Sequence, residues 1–176
     1  SRAALDMHLR ILNLNYKFPV IFTRAANIYG PHQDLYRIIP KTIISCLRKK
    51  KISLHGDGKS IRSFIYVDDV SSALYKILKE GKVGNSYHIS TDEYVSIKYL
   101  VKLIIKISGG KYKKLVRVSK ERTGKDHKYI LDSSKIKKEL KWKNTTKLKD
   151  GIFKTLNWIN ENKNLLKHSL EYKHKK

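Results

Sequence analysis

The segment Gly56-Asp-Gly-Lys-Ser-Ile-Arg-Ser-Phe-Ile-Tyr-Val-Asp-Asp-Val70 commits this chain to a turn, a strand and a helix in immediate succession. Gly56 and Gly58 allow positive φ in a tight turn, Ile61 to Val67 alternates side chains along a strand, and Asp68 or Asp69 stands where a helix cap belongs. A strand that runs straight into a helix calls for α/β layering, because each element must bury its apolar face on the other. Counting by two, Arg62, Phe64 and Tyr66 share one face of the strand. A guanidinium held on a rigid strand suits an anionic ligand, since its planar fork grips phosphate oxygens bidentately. A lone strand arginine is more often simply solvated, so the reading depends on what surrounds it.

The surroundings alternate helix and strand throughout. Ala4, Leu5, His8, Leu9 and Leu12 predict a helix over residues 1–15 that ends before Phe18-Pro19. Pro19 to Arg24 reads as a strand and Ala25 to Pro31 as a loop, a strand-to-loop junction of the kind where α/β proteins place ligands. Ile38 to Leu47 predicts an amphipathic helix, Ile52 to His55 a short strand, Val70 to Leu78 a helix closed near Gly81, and Ser86 to Ser90 a strand. Ser96 is placed to cap an apolar helix from Ile97 to Ile107, which Gly109-Gly110 ends. Leu115 to Val118 and Tyr129 to Leu131 read as strands flanking a polar loop. Asp132-Ser-Ser-Lys135 then starts a helix to Leu140, behind which Trp142 packs on the core. A last helix spans 148–160 with Ile152, Phe153, Leu156 and Ile159 on one stripe, and the basic tail beyond Leu166 is expected to fray.

Net charge of +24 is the loudest compositional number, and by itself it favours nucleic acid or an anionic membrane. Only 8 of the 39 basic residues are arginine. The lysines are scattered along the sequence, and the clusters Arg48–Lys51 and Lys111–Lys114 read as exposed helix ends and loops. No helix-turn-helix, zinc-ligand or RNP-type pattern occurs, which weighs against a nucleic-acid partner. The single Cys46 excludes an internal disulfide and suits a buried apolar position in a cytoplasmic protein. No apolar run approaches the ~20 residues of a membrane span, and no metal-ligand set is present.

No Gly-x-Gly-x-x-Gly loop follows any strand, so the dinucleotide phosphate cradle is not in these residues. Four segments in order nevertheless resemble the extended short-chain dehydrogenases/reductases of the NAD-dependent epimerase/dehydratase family, the dTDP-glucose 4,6-dehydratase group above all. Ser1-Arg-Ala-Ala-Leu-Asp6 is similar to the stretch that closes the family's Tyr-x-x-x-Lys motif, and Thr23 to Pro31 to its Asn-x-Tyr-Gly-Pro loop. Residues 56–70 resemble its Arg-x-Phe-x-Tyr-Val-x-Asp segment, and Glu121 to Tyr129 its Arg-Pro-Gly-His-Asp-x-x-Tyr run. The fold this implies is the carboxyl-terminal part of an NAD(P)-binding Rossmann-type domain with the smaller substrate-binding subdomain. Residues 1–31 would end the Rossmann-type part, 32–165 would form mostly the sugar-nucleotide subdomain with 61–81 returning to the first, and 166–176 would be tail.

The resemblance implies roles for single residues. Asn27 would lie beside the nicotinamide and the sugar, and Arg37 would face substrate. Leu54 and His55 would line the nucleobase, Ser96 would contact substrate, and Lys125 would stand at a position usually held by histidine. Arg62 and Arg122 would clamp the diphosphate. Arg2 occupies the position of the family's lysine, and a guanidinium stays protonated where an ammonium can titrate. The family's tyrosine would precede Ser1, so the chain alone is expected to bind NAD poorly and to lack turnover. The parent enzyme is expected to be an NAD-dependent nucleoside-diphosphate-sugar 4,6-dehydratase, possible partners being the sugar nucleotide and a second copy through the first helix. A 4-epimerase, a UDP-glucuronate decarboxylase-like enzyme and, in another class, a basic nucleic-acid-binding module are the alternatives.

Overall fold

The computed structural model describes residues 2–121, 124 and 126–171. The chain begins with α1 (Arg2–Tyr16), β1 (Phe22–Ala25), β2 (Asn27–Tyr29), α2 (Ile38–Leu47) and β3 (Ile52–His55). A 3₁₀ turn at Gly56–Gly58 leads into β4 (Ile61–Tyr66) and α3 (Val67–Glu80). Then come β5 (Ser86–Ile89), β6 (Tyr94–Ser96), α4 (Ile97–Ile107), the single turn α5 (Tyr112–Leu115) and β7 (Val116–Ser119). The short β8 (Lys128–Tyr129), α6 (Ser134–Leu140) and α7 (Leu148–Glu161) complete the regular elements.

β4 is the axis of the fold. Its carboxyl half pairs in parallel with β2, placing Asn27 beside Phe64, and its amino half pairs antiparallel with β6 and parallel with β8. β1 and β5 form a second parallel pair, and β3 with β7 a third. Phe64 and Tyr66 enter one core with Ile39, Ile43, Leu100, Ile104 and Ile152 from α2, α4 and α7. Ile65 enters the opposite core with Ala73, Ile77, Tyr87, Ile136 and Trp142. The side chains therefore alternate as expected, while Ser63 to Tyr66 are all buried because helices cover both faces.

Several sequence expectations shift by a few residues for identifiable reasons. The first strand starts at Phe22, where the pairing with β5 begins, and the expected loop 25–31 contains β2. Leu115 closes a helical turn instead of opening a strand. Neither Asp68 nor Asp69 caps α3: Tyr66 is the cap residue with no side-chain cap bond, and Asp69 is buried. The Asp69 carboxylate instead accepts the Thr145 N–H at 2.8 Å, the Thr145 hydroxyl at 2.9 Å and the Thr146 N–H at 3.0 Å, tying α3 to the approach of α7. Phe153 leaves the α7 stripe and is 54% exposed, whereas Ile152, Leu156 and Ile159 are buried. The described part of the tail is held, since Arg48 Nη2 donates to the His168 carbonyl at 2.7 Å.

Ser96 caps α4 as expected, its hydroxyl accepting the Tyr99 N–H at 3.1 Å. Trp142 is buried and donates to the Ser72 hydroxyl at 3.0 Å. Cys46 is buried between α2 and β3, and burial pushes its thiol up to about 11, fitting a packed apolar role. Unlike these elements, α1 has no buried residue; polar contacts attach it, among them an Arg24–Asp6 ion pair and a bond from Arg10 to Ser86.

Candidate functional site

A cavity of about 1330 Å³ opens where α1, β2, the 30–37 loop and β4 meet, and Arg2, Asn27, Arg37 and Arg62 all line it. Four of the residues singled out from sequence thus reach one space from four different elements. Parallel pairing of β2 with β4 sets Asn27 beside Phe64, and the Asn27 amide donates to the Ser63 carbonyl at 2.9 Å. That bond turns the amide of Asn27 to the strand and fixes the side chain. Arg37 is exposed at the amino end of α2, its guanidinium 5.2 Å from the Tyr36 ring centroid.

Arg62 is half-buried, and its Nη1 and Nη2 donate to the carbonyls of Ile61 and Asp126, both at 2.7 Å. A guanidinium has five N–H donors, so these bonds set its plane and leave donors for a ligand. β8 brings this partner carbonyl into place: Ile61 lies beside Lys128 and Arg62 beside Tyr129. The third and fourth sequence segments are therefore joined by strand pairing, although 64 residues separate Arg62 from Asp126. Arg122 and Lys125 lie outside the described residues.

Two glycines make this geometry possible. Gly58 has φ +65° and a Cβ there would stand 2.7 Å from the Lys98 nitrogen, so the turn before β4 packs directly on the start of α4. Gly151 lies inside α7, where a Cβ would stand 2.2 Å from the Tyr29 hydroxyl. Tyr29 lines the cavity, donates to the Leu148 carbonyl at 3.3 Å and meets Tyr66 edge to face at 5.6 Å. Burial, with the Glu93 carboxylate second, pushes the Tyr29 phenol well above its ordinary value. It keeps its proton and acts as a structural donor.

The remaining sequence candidates stand apart from the cavity lining. Leu54 is 2% exposed and packs in the core with Cys46, Val101 and Leu115. His55 Nδ1 lies 2.9 Å from the Ser119 hydroxyl and 3.2 Å from the Lys120 carbonyl. The Ser96 hydroxyl is engaged as the α4 cap. Sequence reasoning missed the loop wall: His32, at φ 63°, meets the Trp158 ring at a tilt of 54° with centroids 4.9 Å apart, and Gln33 donates to the Ile28 carbonyl at 2.6 Å. Gly30-Pro31 signalled a turn there but not its partner on α7. Among the described residues no group of three His, Cys, Asp or Glu is placed to hold a metal, and no helix is long and apolar enough to cross a membrane.

This arrangement matches known proteins over nearly the whole chain. The dTDP-D-glucose 4,6-dehydratase of Homo sapiens is 36% identical over 167 residues, which is 92% of this chain and 47% of that protein. A trifunctional UDP-glucose 4,6-dehydratase/3,5-epimerase/reductase of Arabidopsis thaliana is 33% identical over 92% of this chain and 24% of that protein. A dTDP-glucose 4,6-dehydratase from Streptomyces venezuelae, solved with NAD bound, superposes with a TM-score of 0.87 at 29% identity, covering 93% of this chain and 50% of that one. A UDP-glucose 4-epimerase from Thermotoga maritima with UDP-glucose gives 0.84 at 27% identity, covering 91% and 52%. The chain therefore spans about half the length of the dehydratase and epimerase structures, and its architecture is the α/β, Rossmann-like one of extended short-chain dehydrogenases. The family model described as GDP-mannose 4,6 dehydratase matches residues 1–155, and the chain belongs to that family.

Proposed function

We propose that the 1330 Å³ cavity is a nucleoside-diphosphate-sugar site and that the chain is the sugar-nucleotide-binding part of an NAD-dependent 4,6-dehydratase. The observation that carries this reading is the convergence of Arg2, Arg37 and Arg62 with Asn27 on one cavity. Three guanidinium groups around one space repel one another, and an anion of matching charge offsets that cost. A diphosphate bears such charge on oxygens spaced for bidentate contact.

In this reading Arg62 takes a phosphate, its plane preset by the Ile61 and Asp126 carbonyls. Arg37, at the start of α2, approaches from the loop side, and Arg122 is proposed as the second jaw. Asn27 orients the sugar and the nicotinamide edge, held by the Ser63 carbonyl. Arg2 supplies a permanent positive charge where the cavity meets α1. NAD, when bound, supplies hydride exchange with the sugar; the residues here bind and orient. The dTDP-glucose dehydratase relatives support elimination of water, and the similarity to the Thermotoga maritima epimerase favours inversion as the second reading.

Titration of dTDP, UDP and a single-stranded oligonucleotide at matched salt tests the site. Saturable binding of a nucleoside diphosphate, lost on Arg62→Ala, is the expected result. If neither diphosphate binds, or if Arg62→Ala leaves their affinity unchanged, the assignment of this cavity fails.

A further inference from the structure

The sequence clusters Arg48–Lys51 and Lys111–Lys114 are far apart in the chain but adjacent in space. β3 and β7 pair in parallel with Ile52 beside Val116, so the two lysine-rich segments that lead into them, the second through the helical turn α5, converge at the start of the pair. The lobe that carries these strands, formed with α2, α4 and α5, shares one small core of Cys46, Ile52, Leu54, Val101, Ile105 and Leu115. No Asp or Glu occurs from Leu35 to Gly56 or from Tyr94 to Lys120, while those two stretches contain six and eight Lys and Arg. The positive charge that looks scattered in sequence is therefore gathered on one lobe, whose bordering acids are Asp57, paired with Lys98, and Glu121, packed beside Gly56.

Its centre is concave. Lys51, Arg117 and Lys120 line a depression of about 550 Å³ together with Ser53 and Ser119, whose hydroxyls lie 3.1 Å apart. All three cations are exposed, as are Lys50, Lys113 and Lys114, and none of the six side chains makes an ion pair among the described residues. Leaving so many like charges unpaired on one face costs stability, which a polyanion would offset. Membrane-surface sites add exposed apolar side chains that enter the lipid, and within this depression only Val118 is of that kind. Lysine-rich, hydroxyl-lined and concave surface suits phosphate-backbone contact without base readout.

We infer that the β3–β7 face is a second anionic site, separate from the 1330 Å³ cavity, that binds the phosphate backbone of nucleic acid without sequence preference. The test uses the full 176-residue chain and a fluorescein-labelled single-stranded DNA of about 20 nucleotides, with anisotropy read between about 50 mM and about 200 mM salt. The combined variant Lys50→Gln, Lys51→Gln, Lys113→Gln, Lys114→Gln is compared with Lys138→Gln, Lys143→Gln, Lys147→Gln, Lys149→Gln, which removes the same charge elsewhere. Expected are binding weakened about tenfold or more and a log–log salt slope shallower by about 3 in the first variant only, from about 0.7 per lost phosphate contact. Excess dTDP should leave the complex intact. Equal weakening in both variants would reduce the effect to net charge and overturn the inference. So would absence of binding by the unaltered chain, displacement by dTDP, or tighter binding to anionic phosphatidylglycerol vesicles than to DNA. Circular dichroism of both variants guards against unfolding, and Arg117→Gln with Lys120→Gln, outside the strand pairing's apolar face, repeats the test with fewer changes.

Discussion

Around the head of β4 the Arg62 guanidinium is held by two backbone carbonyls, whereas along β3 and β7 the cations extend into solvent with no ion pair among the described residues. Both regions are positive, yet they hold their charges differently. A charge whose plane is fixed before the ligand arrives loses little entropy on binding and discriminates by geometry. Charges on flexible lysine stems act through the summed potential, bind any closely spaced phosphates and weaken steeply with salt. The difference comes from strand order: β8 delivers the Asp126 carbonyl to Arg62, while the β3–β7 pair presents one face to solvent.

The largest effect is expected at the scaffold under the cavity. Asp69→Ala removes the acceptor of three hydrogen bonds from Thr145 and Thr146. It is expected to cost about 3 kcal/mol in urea unfolding, as a charged buried acceptor is lost, and to weaken dTDP binding together with stability. A smaller effect is expected on the lobe side. Ser96→Ala deletes the α4 cap and should cost about 1 kcal/mol, with dTDP affinity within about twofold of the unaltered chain. A large loss of dTDP affinity would instead put Ser96 at the ligand.

The smallest effect lies at the border between the regions, where Lys98 Nζ contacts Asp57 Oδ2 at 2.7 Å. The hydrogen bond to Lys98 holds the Asp57 carboxyl below its ordinary value of 3.8. A lowered folded value means the contact adds stability in full above 3.8, and that stability is lost as the pH falls through the lower folded value. Asp57→Asn should therefore trim the acid-side decline in Tm between about pH 5 and about pH 2 without altering the neutral-pH salt dependence of DNA binding.

Local elements were largely legible in the sequence, because they rest on local chemistry. The glycine turn, the Ser96 cap and the α2 and α4 stripes need only nearby residues, and each stands where its pattern puts it. What was illegible depended on distant partners. Asp69 looks like a cap until Thr145 and Thr146 arrive to claim its carboxylate, and Phe153 sits on an apolar stripe until α7 turns it outward. Arg2, Asn27, Arg37 and Arg62 could be named from motifs, yet their convergence is tertiary, with Asn27 brought to the strand of Arg62 by the pairing of β2 with β4. The gathering of lysines was hidden for the same reason, since parallel pairing of β3 with β7 joins clusters about 60 residues apart.

In the proposed assignment the Arg62 cavity, and not the lysine-lined lobe, takes the nucleoside diphosphate. Isothermal titration of dTDP into the unaltered chain, Arg62→Ala and Arg117→Ala measures this most directly. Arg62→Ala should lose about 1.5–3 kcal/mol of binding free energy, the worth of a charge-assisted hydrogen bond, with Arg117→Ala unchanged. The reverse pattern, with Arg117→Ala impaired and Arg62→Ala unaffected, would contradict the account.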